Sequence, residues 1–321
     1  MCSIKARCLA GFLFLSSLLG GCAIILPQSS ALKEGAPAGL PAYAELAKVP
    51  FHPQEEYQCG PAALAMILNY AGVPITPEAL IEQVYIPARK GSLQIEMLVA
   101  ARRQGLVAYE LEPRLTDVLQ EIAAGTPVVV LENIGFRIFP IWHYAVLIGY
   151  DLTKGEVIRR SGLNERQTMP FGVFEYVWKD DGHWSMIAVP AGTVPPTATE
   201  PRYANAVVAL ERLGHTRQAH TAYSAMLKRW PDSLAGELGR GNTAYALRDL
   251  QTAESAFRRA AAGHPASAAA LNNLAQVLAD RGDFDEAVAT AERAVSLGGP
   301  LLSATQATLN EIRRKAAPKI E

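Results

Sequence analysis

The spacing of hydrophobic residues divides the chain into two regions of different structure. In residues 48–190, short apolar runs typical of strands alternate with segments of helical periodicity, whereas residues 202–316 are Ala-rich and helical throughout. A Pro- and Thr-rich segment at 191–201 breaks the pattern between them, as linkers do. The pattern therefore predicts an α+β domain, a linker and an all-α domain.

The second region repeats with a period of 34 residues. Small, aromatic and proline positions keep this period in three series: Ala219, Ala253 and Ala287; Tyr223 and Phe257; Pro231 and Pro265. The small residue lets two helices approach, the aromatic residue fills the gap between neighbouring hairpins, and the proline closes the second helix. The region resembles tetratricopeptide repeats, which predicts a helical solenoid with hairpins at about 200–233, 234–267 and 268–301 and a capping helix from Ser303 to Lys315. Because stacked repeats contact their neighbours, we expect it to fold alone.

Composition and charge exclude several classes of function. Half of the residues are hydrophobic and the formal net charge is −1, so no basic surface is expected and nucleic acid is not an expected partner. No CxxC, HExxH or phosphate-loop pattern occurs, so no metal or other cofactor is predicted. Gly239 and Gly241 superficially resemble a dinucleotide fingerprint, but they follow no strand.

The N-terminus has the features of an export signal. Lys5 and Arg7 precede an apolar stretch over residues 8–19, which is too short to span a bilayer comfortably. This pattern predicts a signal peptide at residues 1–21, with an ordinary cleaved signal or an uncleaved anchor as the alternatives to a lipoprotein signal.

The sequence Leu19-Gly20-Gly21-Cys22 resembles a bacterial lipobox, in which the cysteine is diacylated at sulfur and becomes the mature N-terminus. The resemblance implies lipidation (palmitate) of Cys22, and Ala23 after it points to the outer membrane facing the periplasm. Residues 22–47 contain many Pro, Gly and Ser residues and are predicted to be a tether between the membrane and the first domain.

The cysteines then single out one thiol. Cys2 and Cys8 leave with the signal peptide and Cys22 carries lipid, so of the four cysteines only Cys59 remains free. Because an exported protein rarely keeps a lone thiol, Cys59 has either a buried, inert role or a chemical one.

Cys59 is predicted to stand at the start of a helix. Pro61 suits the first helical turn and Gly72 suits the C-terminal cap. The unpaired N–H groups at a helix start stabilise thiolate over thiol. We therefore expect Cys59 to be a nucleophile with a low pKa.

His143 lies near the start of an apolar strand that runs from Ile141 to Asp151. A turn at 152–155 leads into a second strand, so the two are expected to form a hairpin. A thiolate on a helix start opposite an imidazole on a strand is the arrangement that covalent acyl transfer requires.

These motifs resemble the bacteriocin-leader-processing, double-glycine type of papain-like cysteine peptidase. The resemblance rests on Cys59-Gly60-Pro61-Ala62, on His143-Tyr144-Ala145-Val146 and on Gly91-Ser92 between them. It implies an α+β papain-like fold, and it assigns to Gln54 the donation of a hydrogen bond to the oxyanion. Gln58 and His52 are competing neighbours for that role.

A third residue normally orients the histidine in this family. Ser161 falls where the family has Asp, and Asn164 follows three residues later with more suitable chemistry. Asp151 is interpreted as a turn residue. The choice between Ser161 and Asn164 stays open from the sequence.

We therefore expect an envelope-anchored cysteine peptidase, a hydrolase whose Cys59 and His143 cleave peptide bonds in a peptide or protein of the cell envelope. The repeats would recruit the substrate or a partner protein, and the lipid would hold the chain on the membrane. One alternative is a non-catalytic scaffold with a peptidase-like fold. Another is a thiol acyltransferase on the same fold.

Overall fold

The computed structural model of the protein describes residues 26–54 and 58–317. The predicted signal peptide and the lipidation site at Cys22 lie outside the described residues. Within them, no helix is both long and apolar enough to cross a membrane.

The first domain is built around an antiparallel sheet. Nine strands lie within the described residues, namely β1 (Tyr43–Glu45), β2 (Tyr85–Ile86), β3 (Gly91–Ser92), β4 (Val107–Glu110), β5 (Val128–Asn133), β6 (Trp142–Asp151), β7 (Glu156–Ser161), β8 (Asn164–Pro170) and β9 (Ser185–Val189). The large sheet has the order β4-β9-β5-β6-β7-β8, and β1 pairs with the end of β6. β2 and β3 form a separate small hairpin. The predicted hairpin of β6 and β7 is confirmed.

Helices cover both faces of this sheet: α1 (Pro27–Glu34), α2 (Cys59–Tyr70), α3 (Pro77–Val84), α4 (Gln94–Arg103), α5 (Leu115–Ala123) and α6 (Phe171–Trp178). Because side chains alternate along a strand, each central strand contributes to two cores. Val128, Val130 and Leu147 pack with α5 and α6. Val129, Val146 and Ile148 pack with α2, α3 and α4 on the other face. The helix that begins at Cys59 is therefore fixed against the strand that carries His143.

The predicted tether at 22–47 requires a correction. Residues 27–34 form helix α1, and residues 43–45 form strand β1 in the large sheet. The start of α1 is held by a carboxylate, since the backbone N–H groups of Gln28 and Ser29 donate to Glu175 at 3.0 and 2.7 Å. Tertiary hydrogen bonds therefore order a segment whose own sequence has little periodicity.

The all-α region has the predicted hairpins: α7 (Glu200–Arg212) with α8 (Thr216–Arg229), α9 (Leu234–Ala246) with α10 (Leu250–Gly263), and α11 (Ala268–Arg281) with α12 (Phe284–Ser296). The capping helix is α13 (Leu302–Ala316). A β-carbon at Gly239 would lie 2.2 Å from the Tyr223 ring, and one at Gly241 would lie 2.4 Å from the Phe257 ring. These two glycines therefore accommodate the aromatic residues of the repeat.

The first hairpin shares its core with the preceding domain. Tyr203 and Val207 of α7 belong to the same buried cluster as Tyr109 of β4 and Val118 of α5. The rings of Tyr109 and Tyr203 meet edge to face with centroids 6.5 Å apart. The expectation that residues 202–316 fold alone did not include this packing, which couples the first repeat to the sheet domain.

Candidate active site

Cys59 is the first residue of α2 and is partly buried. Gly60 follows it at a point of very close packing, because a β-carbon there would lie 2.3 Å from Ser92 Oγ and 2.7 Å from Ser92 Cβ. A side chain at position 60 would therefore displace either the helix start or β3. The glycine sets the position of the thiol against the neighbouring β2–β3 hairpin.

The imidazole of His143 contacts Ser161. His143 is the second residue of β6, Ser161 is the last residue of β7, and Nε2 lies 3.0 Å from the serine Oγ. Asn164 is exposed and faces Ser161 only through the strand pairing of β7 and β8. Of the two candidate orienting residues, the structure places Ser161 against the imidazole. The bond to Nε2 leaves Nδ1 as the other ring nitrogen for proton transfer.

The thiol of Cys59 lies beside the backbone of the residue that follows His143. Burial raises the pKa of the thiol above its ordinary value, and backbone hydrogen bonds from Tyr144, Gly60 and Cys59 offset only part of that rise. The prediction of a low pKa is therefore wrong for the free protein. The helix start does contribute favourable N–H groups, but burial of the thiol outweighs their effect on its pKa.

Burial has the matching effect on the base. The pKa of His143 falls to about 4, first because the ring is desolvated and second because the positive charge of Arg159 is near. Arg159 itself forms a buried ion pair with Glu132, the residue paired with His143 across β5 and β6. In the free protein, therefore, the thiol and the imidazole are both neutral.

Gln54 connects three segments of the site and is buried. Its Oε1 accepts from the backbone N–H of Gly162 at 2.7 Å. Its Nε2 donates to the carbonyl of Tyr144 at 3.0 Å and, over a longer 3.5 Å, to the carbonyl of Cys59. The amide therefore lies between the nucleophile, the strand of the base and the turn after Ser161.

The two competitors of Gln54 lie in other surroundings. His52 Nε2 is 2.8 Å from Asn69 Oδ1, and Asn69 is ten residues along α2 from Cys59, or about 15 Å at 1.5 Å per residue. Gln58 precedes Cys59 directly and, together with His52, lines a surface pocket of about 410 Å³ that also includes Pro53, Thr76, Pro77 and Glu78.

One connection was not anticipated from the sequence. The hydroxyl of Tyr144 donates to the carbonyl of Ser92 at 3.1 Å, and its ring meets that of Trp184 edge to face at 5.8 Å. Tyr144 thereby fixes the strand of His143 to the hairpin that packs against Gly60. Tyr144 and Ser92 both lie within the motifs of the resemblance, but their pairing depends on the three-dimensional fold.

The comparisons with known proteins agree with this architecture. Residues 46–186 match the sequence model of the Peptidase_C39 like family, and residues 205–262 and 238–300 match the tetratricopeptide repeat. Residues 46–186 thus form a C39 peptidase-like domain, and tetratricopeptide repeats follow it. No curated protein matches the chain.

Three solved structures are similar to the first domain. A putative C39-like peptidase from Bacillus anthracis is 21% identical with a TM-score of 0.39, over 46% of this chain and 97% of that one. A double glycine motif protease from an AMS/PCAT transporter, solved with its leader peptide, is 27% identical with a TM-score of 0.35, over 44% and 91%. The peptidase domain of Streptococcus ComA, a bifunctional ABC transporter involved in quorum sensing, is 18% identical with a TM-score of 0.37, over 44% and 98%.

Proposed function

We propose that this protein is a cysteine peptidase of the bacterial cell envelope, anchored by lipid at Cys22, with Cys59 as nucleophile and His143 as base. One observation carries the proposal. Ser161 engages Nε2 of His143 while the thiol of Cys59 lies at the backbone of Tyr144, the next residue. With Nε2 occupied by Ser161, Nδ1 is the ring nitrogen available to accept the thiol proton, a transfer that requires the thiol to lie close to it.

The reaction begins from the neutral pair. As the thiol sulfur attacks the carbonyl carbon of a peptide bond, its proton moves to Nδ1 of His143, and the carbonyl oxygen becomes an oxyanion. The imidazolium then protonates the amine as the carbon–nitrogen bond breaks, leaving an acyl-thioester on Cys59. Water, deprotonated by the same imidazole, hydrolyses the thioester and restores the thiol.

Gln54 is suited to stabilise the oxyanion. One N–H of its amide is held by the Tyr144 carbonyl, and the other makes only the longer contact with the Cys59 carbonyl. This weakly bonded N–H is therefore the one available to donate to an oxyanion that forms beside the sulfur. Loss of such a donor slows other acyl-transfer enzymes by about 10²- to 10³-fold.

The repeats are proposed to recruit the substrate or a partner protein. Amide and aromatic side chains line a groove on the second and third repeats: Asn242, Tyr245, Asn272, Asn273 and Gln276. Such side chains can pair with the donors and acceptors of a peptide backbone. Deleting the repeats should therefore weaken cleavage of protein substrates more than cleavage of short peptides.

The activity can be tested by comparing envelope proteins of cells that carry the wild type or Cys59→Ser. New N-termini that depend on Cys59 would identify both the substrate and the cleavage site. Mass spectrometry of the mature protein tests the anchor separately, because lipidation predicts a diacylated Cys22. Identical N-termini in the two strains would contradict a peptidase.

The second candidate is a non-catalytic scaffold that binds proteins through both domains. It is favoured by Ser161, because a neutral hydroxyl gives an imidazolium less support than a carboxylate, and by the low pKa of His143. Under this alternative, Cys59→Ser leaves the set of bound partners and the cleavage products unchanged.

A further inference from the structure

The loop between β5 and β6 exposes large apolar side chains to solvent. We call residues 134–141 the apolar hairpin. Three of its side chains are among the most exposed large hydrophobic groups of the described residues: Phe136 at 78%, Ile138 at 80% and Phe139 at 73%. Contiguous exposed apolar side chains of this kind mark sites of contact with a membrane or another molecule.

The apolar hairpin has a defined structure. Phe136 and Phe139 exchange backbone hydrogen bonds at 3.2 and 2.9 Å across its tip. At its base, the side-chain oxygen of Asn133 accepts from the N–H groups of Gly135 and Ile141 at 3.1 and 3.0 Å. The exposure is therefore built into the fold and is not the consequence of a collapsed or unstructured loop.

The hairpin attaches to the turn that follows α6, and the N-terminal segment attaches to α6 itself. Asn133 Nδ2 donates to Asp180 at 2.9 Å, in the short turn that follows α6. The N-terminal segment is attached through the start of α1, whose backbone N–H groups donate to the carboxylate of Glu175 within α6. Five residues separate Glu175 from Asp180, which corresponds to about 8 Å along a helix axis.

The distance to the membrane anchor is short. The described chain begins at Leu26, whose side chain lies beside Gly172 at the start of α6. Cys22 is four residues earlier, so even fully extended chain spans only about 14 Å between them. A lipid on Cys22 would therefore hold α6 close to the bilayer surface, and the apolar hairpin with it.

Basic side chains near these apolar groups are of the kind found at the interface between a bilayer and water. Arg137 lies between Phe136 and Ile138 at the tip. On α6, Tyr176 is exposed and Lys179 lies over its ring at 4.2 Å. Aromatic rings that carry nearby Lys or Arg heads are typical of the level of the lipid headgroups.

We propose that the apolar hairpin inserts into the same bilayer that holds the lipid on Cys22, as a second contact with the membrane. This inference rests on the proposed anchoring at Cys22. The hairpin ends one residue before Trp142, which is adjacent to His143. The membrane contact would thus orient the catalytic end of β6 towards the bilayer and direct the peptidase to segments of envelope proteins near the membrane surface.

The test uses the full lipidated chain in vesicles of phosphatidylethanolamine and phosphatidylglycerol, with or without bromine atoms on the acyl chains. Ile138→Trp places a fluorophore at the tip of the hairpin, and Leu301→Trp places one at an apolar position in the repeats that is 42% exposed. The brominated lipids should quench a large part of the fluorescence that the Trp introduced by Ile138→Trp adds to that of the wild type. They should quench none of the fluorescence that Leu301→Trp adds. Flotation of the same samples reports on the anchor.

If the protein floats but Ile138→Trp is no more quenched than Leu301→Trp, the insertion is contradicted while the anchoring stands. If the protein does not float, both are contradicted. If Phe136→Asp abolishes cleavage of a soluble peptide without lipid and Ile138→Trp stays unquenched, the hairpin is a substrate surface, which also overturns the proposal.

Discussion

The ring nitrogen Nε2 of His143 lies 3.0 Å from the hydroxyl oxygen of Ser161. Since a hydroxyl carries no charge, it can fix the orientation of the imidazole but gives little support to an imidazolium. The nearby positive charge of Arg159 disfavours the imidazolium further. The resting site is consequently a neutral pair in a buried setting.

The first prediction separates the two candidate orienting residues. Ser161→Ala removes the contact with Nε2 and should lower kcat/KM about fivefold, the effect of a hydrogen bond worth about 1 kcal/mol. Asn164→Ala should leave kcat/KM unchanged, because Asn164 is exposed. Equal activity of both variants and wild type would remove Ser161 from the site.

Ser161→Asp is the complementary change. A carboxylate beside the imidazole should raise the pKa of His143, by about 1–3 units in comparable pairs. Because the base must be neutral to accept the thiol proton, the acidic limb of the kcat/KM profile should move to higher pH. An unshifted acidic limb would show that position 161 does not face the catalytic base.

The elements that carry Cys59 and His143 were predictable from local sequence, whereas the electrostatics of the site were not. The helix start at Cys59 and the strand of His143 follow from turn residues and apolar runs, and both are confirmed. The raised pKa of Cys59 results from burial, which depends on how distant segments of the chain pack around the thiol. The same holds for the ion pair of Arg159 with Glu132, which are 27 residues apart.

The second prediction concerns acid stability. The pKa of His143 lies at about 4 in the folded protein, against 6.5 for an ordinary imidazole. The contribution of neutral His143 to the free energy of unfolding is therefore fully present above pH 6.5. It is lost as the pH falls towards 4, because over this range the unfolded chain binds a proton at His143 and the folded protein does not. Between pH 7.5 and 4.5, urea unfolding should show the wild type losing about 2–3 kcal/mol more than His143→Gln. Equal losses would mean that His143 is not desolvated.

The third prediction concerns the packing of the repeats. Gly239→Ala introduces a β-carbon 2.2 Å from the Tyr223 ring and should destabilise the protein by about 1–3 kcal/mol through overpacking. Gly263→Ala is the control, because nothing lies within 4 Å of its β-carbon. This control should be neutral or stabilising by up to about 1 kcal/mol. Thermal unfolding that ranks the two variants in the opposite order would contradict this packing.

The fourth prediction concerns the junction between the domains. In a fragment of residues 202–316, Tyr203 and Val207 lose the sheet domain that buries them. Arg229 also loses its bonds to the carbonyls of Pro195 and Pro196 at 2.5 and 2.7 Å. Hydrogen exchange should therefore show protected amides in α9–α13 and weakly protected amides in α7 and α8. Equal protection of all the hairpins would mean that the repeats are independent.

The two regions differ in how far local sequence determines them. The 34-residue period predicts the repeat hairpins closely because each helix packs against neighbours along the chain. Helix α1 lacks such a signal, because its start depends on Glu175, 146 residues from Ser29. Glu175 becomes a partner only when the sheet domain has folded, which is why this segment was interpreted as a tether.

The most direct test of the central claim is labelling of Cys59 at pH 7 by a peptidyl electrophile, compared with labelling by iodoacetamide. A peptide carbonyl can occupy the site and use His143 and Gln54, whereas iodoacetamide depends on free thiolate, which burial suppresses. We predict rapid peptidyl labelling of the wild type, loss of that labelling in His143→Ala and slow iodoacetamide reaction in both. Peptidyl labelling that is slow in the wild type and unchanged in His143→Ala would contradict the peptidase and favour the scaffold.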